Sequence, residues 1–431
     1  MHMTEEILLK NCKYIATMNG KVLCGEDVLI CDGEIEAIGE HLRKTGIVVD
    51  CSDKVVMPGL VNCHTHAAMV LFRGYYDDAE LDEWLRKIWI AEARLEPRIV
   101  YLASKLAIYE MLSSGITTFI DMYFYPEEAA KAAVEAGVRA ALGPVFADNF
   151  YDPREVLREL EEFYKKYGNL SLVKPIVNVY SIYTCSEETL LMAKEFSDNR
   201  NADVYMHVSE TRREVYECRK KHGVFPVEYL DRLGLLSSRL RLIRLGWVTS
   251  WEIELIKRKK ASIIYCPTSS MKLATAGFFP FKEAVRSGVT VGLGTDGAAT
   301  NNCLDMFREM KYTVLLQRNN YWDAEVNAGD ALHAATVNGG KIIREKIGKI
   351  AEGYTADLTL IDANSIHLQP LRKDNLLSSL VYSATGADVA TTIVNGKIVY
   401  NRENLLKIKR KIQEITQKLN AFIEKISKTT R

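Results

Sequence analysis

The sequence predicts an α/β protein: a (β/α)8 barrel of the TIM type, with a small β-sandwich domain assembled from both chain ends. Three observations carry that prediction. Both ends read as short alternating strands with tight turns, the middle alternates apolar strands with helix-length segments, and those middle strands number eight. Eight parallel strands close a barrel, and such barrels carry their active sites at the C-terminal ends of the strands.

Taken in order, residues 5 to 57 show Ile7-Leu8-Leu9, Tyr14-Ile15-Ala16, Val28-Leu29-Ile30 and, after Asp32-Gly33, Ile35-Glu36-Ala37-Ile38, which together make a small β module. The barrel strands follow as Val61 to His64, Gly115 to Ile120, Ala140 to Gly143, Val177 to Tyr180, Val204 to Val208, Leu242 to Leu245, Ser262 to Tyr265 and Thr290 to Gly294. Beyond them, Asp357 to Ile361 and Thr391 to Tyr400, the latter folded at Asn395-Gly396, repeat the alternation of the N-terminus, so both ends are expected to share one sheet. Apolar residues at helical spacing among charges predict a solvated helix from about Glu403 to Lys428. The expected division is 58–346 for the barrel, with 1–57 and 347–431 forming the β-sandwich and the C-terminal helix.

With 431 residues the chain exceeds the roughly 250–300 at which one core stops growing, which agrees with a large domain and a smaller companion. Its 56 Lys and Arg balance 56 Asp and Glu, so no bulk positive field exists for nucleic acid or an anionic membrane, and a small-molecule substrate is expected. The nine cysteines are odd in number and contain no C-x-x-C pair, which fits neither a zinc knuckle nor a disulfide framework and suits a reducing, cytoplasmic setting. No basic-then-apolar leader and no run of eighteen apolar residues occur, so secretion and membrane insertion are not expected. Glutamine is rare beside abundant Lys, Glu, Ile and Tyr, a bias compatible with heat adaptation. Met1 and His2 are assigned no role.

The stretch Pro58-Gly59-Leu60-Val61-Asn62-Cys63-His64-Thr65-His66 ends the first barrel strand on two histidines one residue apart. Alternate side chains of a strand share a face, so both imidazoles can reach one metal ion. His207 ends another strand with Glu210 three residues beyond it, and Asp296 follows Val291-Gly292-Leu293-Gly294-Thr295. A core histidine or a capping aspartate explains any one of these alone. Four such residues at the same ends of three parallel strands point to a metal site, for which three imidazoles and one carboxylate suit one Zn²⁺, with Fe²⁺ second. A bound metal lowers the pKa of its water from about 15.7 toward about 7.

These motifs resemble those of the amidohydrolase superfamily, in particular its 5′-methylthioadenosine/S-adenosylhomocysteine deaminases, over nearly the whole chain as far as Gly353-Tyr354-Thr355-Ala356-Asp357-Leu358. The resemblance implies one metal held by His64, His66, His207 and Asp296, general acid/base work by Glu210, catalytic hydrogen bonding by Asp296, and hydrolytic deamination of an adenosine-type nucleoside by a homo-oligomer. The segment Ile88-Trp89-Ile90-Ala91-Glu92-Ala93 resembles a family signature whose glutamate binds ribose hydroxyls, which would give Glu92 that role. Its alternative is a surface carboxylate on an amphipathic helix.

The chain departs from the family pattern at several substrate positions. Where relatives carry a histidine ending the sixth strand, the best register puts Arg244, which donates hydrogen bonds but takes no proton; a one-residue slip would turn it outward. Tyr180, in Val179-Tyr180-Ser181-Ile182-Tyr183, stands where the family pattern has a histidine near the purine, and Tyr265 and Ser270 flank a third altered segment. Of the arginines expected to hold an amino-acid carboxylate, one position is Pro144 and another is expected to be filled by Arg154. The substrate-binding set is thus Glu92, Tyr180, Arg244 and Arg154. Two alternatives stay open: an amidohydrolase acting on another heterocycle, and a catalytically silent homologue that binds metal or nucleoside. A binuclear centre is not expected, because Lys174 lies at the wrong end of the fourth strand to bridge two metals.

Overall fold

The computed structural model describes residues 6–43, 46–275 and 278–428, so Met1 and His2 lie outside the described residues. Eight parallel strands form the centre: β1 (Leu60–Thr65), β2 (Ile116–Asp121), β3 (Arg139–Leu142, resuming at Val145–Phe146), β4 (Val173–Pro175, resuming at Val177–Ser181), β5 (Val204–Val208), β6 (Leu240–Arg244), β7 (Ser262–Tyr265) and β8 (Thr290–Leu293). The interruptions of β3 and β4 face each other. A Cβ on Gly143 would collide with the Ile176 carbonyl oxygen, so the close approach requires glycine. The ring closes where β8 meets β1: Thr295 N–H donates to Asn62 Oδ1 at 3.0 Å and Asp296 N–H to the His64 carbonyl at 2.9 Å.

The alternation of each strand sorts its side chains between the barrel interior and the surrounding helices. Val61, Cys63, Ile120, Tyr205, Ile243 and Ile264 fill the interior, which is therefore a packed core and not a pore. On β6, Arg241 points inward and binds Asp203 at 2.8 Å and the Ile342 carbonyl at 3.0 Å, while Leu242 joins the outer core. Continued alternation would turn Arg244 outward. Positive φ at Arg244 (80°) and Leu245 (51°) breaks it, so that Arg244 enters the barrel mouth and Leu245 packs outside.

The two chain ends make a sandwich of two sheets. One holds the strands Glu34–Gly39, Asp27–Cys31, Glu6–Lys10 and Ile47–Asp50; the other holds Lys397–Asn401, Val389–Val394, Leu358–Asp362, Lys54–Pro58, Tyr14–Ala16 and Val22–Leu23. Ile7, Leu9, Ile15, Val28, Ile30, Val56, Leu358, Leu360 and Ile393 form the core between them. The hairpin at Asn395-Gly396 has φ of 49° and 70°, the left-handed pair that a type I′ turn needs. Arg139 of β3 and Asp357 form a buried ion pair (3.1 Å) joining barrel to sandwich. The helix Leu405–Lys428 lays Ile415, Leu419, Phe422 and Ile426 inward and packs on the helix Pro97–Ser113. Among the described residues no helix is long and apolar enough to cross a membrane.

Candidate active site

Four strand ends bring five residues of the site together at one mouth of the barrel. His64 and His66 leave β1, His207 ends β5, Arg244 ends β6 and Asp296 follows β8, all of them buried. Two histidine tautomers are fixed by backbone carbonyls, which only accept. Nδ1 of His66 lies 2.5 Å from the Met122 carbonyl and Nδ1 of His207 lies 2.8 Å from the Tyr180 carbonyl, so both carry hydrogen at Nδ1 and leave Nε2 as a lone pair.

Those lone pairs converge. The Nε2 atoms of His64 and His207 are 3.1 Å apart, and the nearest ligand atoms of the three histidines all lie within 4.8 Å of one another. Asp296 divides its oxygens. Oδ2 accepts from Arg244, from Ser269 Oγ at 2.5 Å and from Thr300 Oγ1 at 2.8 Å, whereas Oδ1 receives no hydrogen bond among the described residues and stands 3.1 Å from His66 Nε2 and 3.4 Å from His64 Nε2. Buried acceptors facing one another repel unless a cation lies among them, so these four residues fit a divalent metal with three nitrogen ligands and one oxygen ligand.

The electrostatics agree with that donor set. Burial lowers His64 to about 4 and holds His207 well below its ordinary range, with neighbouring histidines and Arg244 adding to it. Burial also lowers His66, but the Asp296 carboxylate outweighs it and the net shift is upward. Burial pushes Asp296 up, yet the Arg244 guanidinium and the two β1 histidines overcome it, and the carboxyl lies well below the usual range.

Glu210 lines the same mouth on a turn in which Ser209 takes φ 52°. The Glu214 carboxylate accepts the backbone N–H groups of Ser209 and Glu210, each at 2.8 Å, and Thr211 Oγ1 accepts that of Glu214 at 3.0 Å. Burial raises Glu210 above the ordinary carboxylate range, and Arg244, with Nη2 3.5 Å from Oε1, acts against that rise.

These groups open on a cavity with apolar walls that include Trp84, Trp89, Phe124 and Phe150. Glu92 lines it from the last turn of the helix Leu81–Glu92, 8% exposed, and accepts the Tyr123 hydroxyl at 2.6 Å. It is not a surface carboxylate. The Tyr180 ring lines the cavity 5.2 Å from the His207 ring, and Ser270 Oγ accepts Arg244 Nη1 at 3.2 Å.

Other expected residues lie elsewhere. Arg154 is not in the cavity: it occupies the first turn of the helix Pro153–Tyr167, is 77% exposed at its side chain, and faces Glu188 at 3.8 Å. Asp152 caps that helix through the Arg154 N–H, which fixes the first turn with Arg154 toward solvent. Tyr265 packs against Phe279 and Phe281 and does not line the cavity, and Lys174 donates to the Ile343 carbonyl in the first part of β4, away from the mouth. Sequence reasoning missed Tyr123, Ser269, Thr300 and Glu214. Only Glu214 had a local signal, the Thr211-x-x-Glu214 spacing of a capping box.

The amidohydrolase family model matches residues 55–399. A Pyrococcus furiosus protein named 5-methylthioadenosine/S-adenosylhomocysteine deaminase is 42% identical over 397 residues, covering 88% of this chain and 94% of its own. A Methanosphaera stadtmanae protein named 5′-deoxyadenosine deaminase is 40% identical over 416 residues, covering 95% and 96%. Among solved structures, an adenosine deaminase from Xanthomonas campestris with bound zinc superposes with a TM-score of 0.91 at 30% identity, covering 97% of this chain and 99% of that one. With the barrel, the converging histidines and these matches together, the chain belongs to the amidohydrolase family.

Proposed function

We propose that the protein is a metal-dependent aminohydrolase that deaminates an adenosine-type nucleoside, of the 5′-methylthioadenosine, S-adenosylhomocysteine or 5′-deoxyadenosine class, and releases ammonia. The observation that carries this reading is the convergence of three imidazoles and the free Oδ1 of Asp296 beside Glu210, a buried carboxylate outside that donor set. The names of the relatives support the nucleoside class.

His64, His66, His207 and Asp296 would hold one divalent ion, zinc before iron for this donor set. Such an ion acidifies bound water and so supplies a hydrolytic nucleophile near neutral pH. Glu210 moves a proton from the attacking water to a ring nitrogen and then to the departing amine. Asp296, pinned at Oδ2 by Arg244, Ser269 and Thr300, accepts a hydrogen bond that orients the water. Glu92 accepts from ribose hydroxyls, Tyr180 offers its phenol to the base, and the aromatic walls exclude bulk water. The balanced net charge and the cavity favour a small substrate over nucleic acid, and nine cysteines, odd in number and without a C-x-x-C pair, favour a cytoplasmic enzyme. Self-association belongs to the same reading through the family resemblance.

A second reading, hydrolysis of another heterocycle, is favoured by Arg244 and Tyr180 at the mouth. The test is ammonia release by zinc-loaded protein from adenosine, 5′-deoxyadenosine, 5′-methylthioadenosine and S-adenosylhomocysteine. Release that vanishes in Glu210→Gln is expected. No release from any of the four, with one zinc bound per chain, overturns the nucleoside assignment.

A further inference from the structure

Arg244 stands where only deliberate backbone distortion could bring it. Regular alternation along β6 would send it outward, and the positive φ at Arg244 and Leu245 reverses that direction. Its guanidinium is then clamped on two sides. Nη2 binds Asp296 Oδ2 and lies 3.5 Å from Glu210 Oε1, and Nη1 donates to Ser270 Oγ at 3.2 Å. The side chain is 4% exposed, lines the cavity, and is the one guanidinium or ammonium to do so among the described residues.

One donor remains. The Nε–H is buried and meets no acceptor among the described residues. A buried donor without a partner is costly, and here it belongs to a side chain that lines the cavity and is hydrogen-bonded at both of its terminal nitrogens. Guanidinium cannot accept a hydrogen bond and stays protonated at every working pH, so the matching ligand atom must be an acceptor.

We infer that Arg244 is a specificity-determining residue whose Nε–H donates to an unprotonated ring nitrogen of the heterocycle. The inference rests on the nucleoside reading of the site and deepens it. An imidazole at this position could serve as donor or acceptor by changing tautomer, whereas Arg244 only donates. The site therefore demands a lone pair at that ring position and rejects heterocycles that present N–H or C–H there.

The test measures dissociation constants on zinc-loaded Glu210→Gln protein, in which turnover is stopped, with and without Arg244→Lys. The probes are adenosine and its 1-deaza, 3-deaza and 7-deaza analogues, each with C–H in place of one ring nitrogen. With Arg244 present, one analogue is expected to bind at least tenfold more weakly than adenosine. Arg244→Lys is expected to shrink that gap below threefold and leave the other two ratios unchanged. Equal ratios for all three analogues with Arg and with Lys overturn the inference. Zinc content and thermal melting are checked first. Should the lysine variant lose zinc or fold, Ser270→Ala, which frees Nη1, is expected to narrow the same gap at least threefold, and an unchanged gap there overturns it equally. Failure of the nucleoside reading is seen separately, as absence of ammonia release from adenosine by zinc-loaded wild type.

Discussion

The Glu214 carboxylate accepts the backbone N–H of Glu210, the residue four positions before it, at 2.8 Å, and with its other oxygen that of Ser209 at the same distance. One buried side chain thus holds the turn that presents the proton carrier. Glu214→Ala leaves two buried donors unmet and should cost about 1–3 kcal/mol of stability, read from denaturant midpoints. Because the reacting geometry loosens, kcat should fall by about 10²-fold with KM changing far less, read from steady-state kinetics.

Metal removal should destabilise the fold, because Oδ1 of Asp296 and the Nε2 lone pairs of His66 and His207 then lie close together without a cation. Chelation is expected to lower Tm, and zinc at about 100 times its Kd should restore about 2.7 kcal/mol. Asp296→Asn should lose most of that zinc-dependent gain, read as the Tm difference with and without zinc.

Burial raises the Glu92 carboxyl to about 7, with Tyr123 and His66 pulling against the rise. A folded-state pKa above the ordinary 4.5 means that the folded chain holds an extra proton between those values. Its contribution to stability is therefore full below about pH 4.5 and is lost as pH climbs through about 7. Glu92→Gln should remove that downward slope. The acceptor form that binds ribose appears over the same interval, so kcat/KM should rise about tenfold from pH 6 to pH 8 in wild type and stay flatter in the variant.

A Cβ on Gly294 would lie 2.8 Å from both the backbone N and O of His64. Gly294→Ala must therefore push β1 away from β8 at the strand that carries two proposed ligands. The expected cost is about 1–3 kcal/mol of stability together with weaker zinc binding, read by calorimetry.

The barrel strands were legible because each is a short apolar run between turn residues, and all eight coincide with strands of the structure to within two residues at either end, apart from the unforeseen parts Val145–Phe146 of β3 and Val173–Pro175 of β4. The breaks near Gly143 and Ile176 were not legible, since they arise from the approach of two backbones and not from local preference. His64, His66, His207, Glu210 and Asp296 were readable from short-range spacing at strand ends. Ser269, Thr300 and Tyr123 were not, because each meets its partner only after separate strand-end loops converge. The expectation for Arg154 rested on the family resemblance alone, and the cap at Asp152 settles that residue on the solvent side.

The strand Lys54–Pro58 runs straight into β1 and is flanked by Tyr14–Ala16 on one side and by Leu358–Asp362 on the other. Protein synthesis therefore separates in time two things that the finished molecule holds together. His64 and His66 emerge early, but the neighbour that locks the base of their strand leaves the ribosome some 300 residues later, about 15–60 s at ordinary elongation rates. A nascent chain arrested before Asp362 would carry Lys54–Pro58, the strand that leads into the histidine pair, still open along one edge.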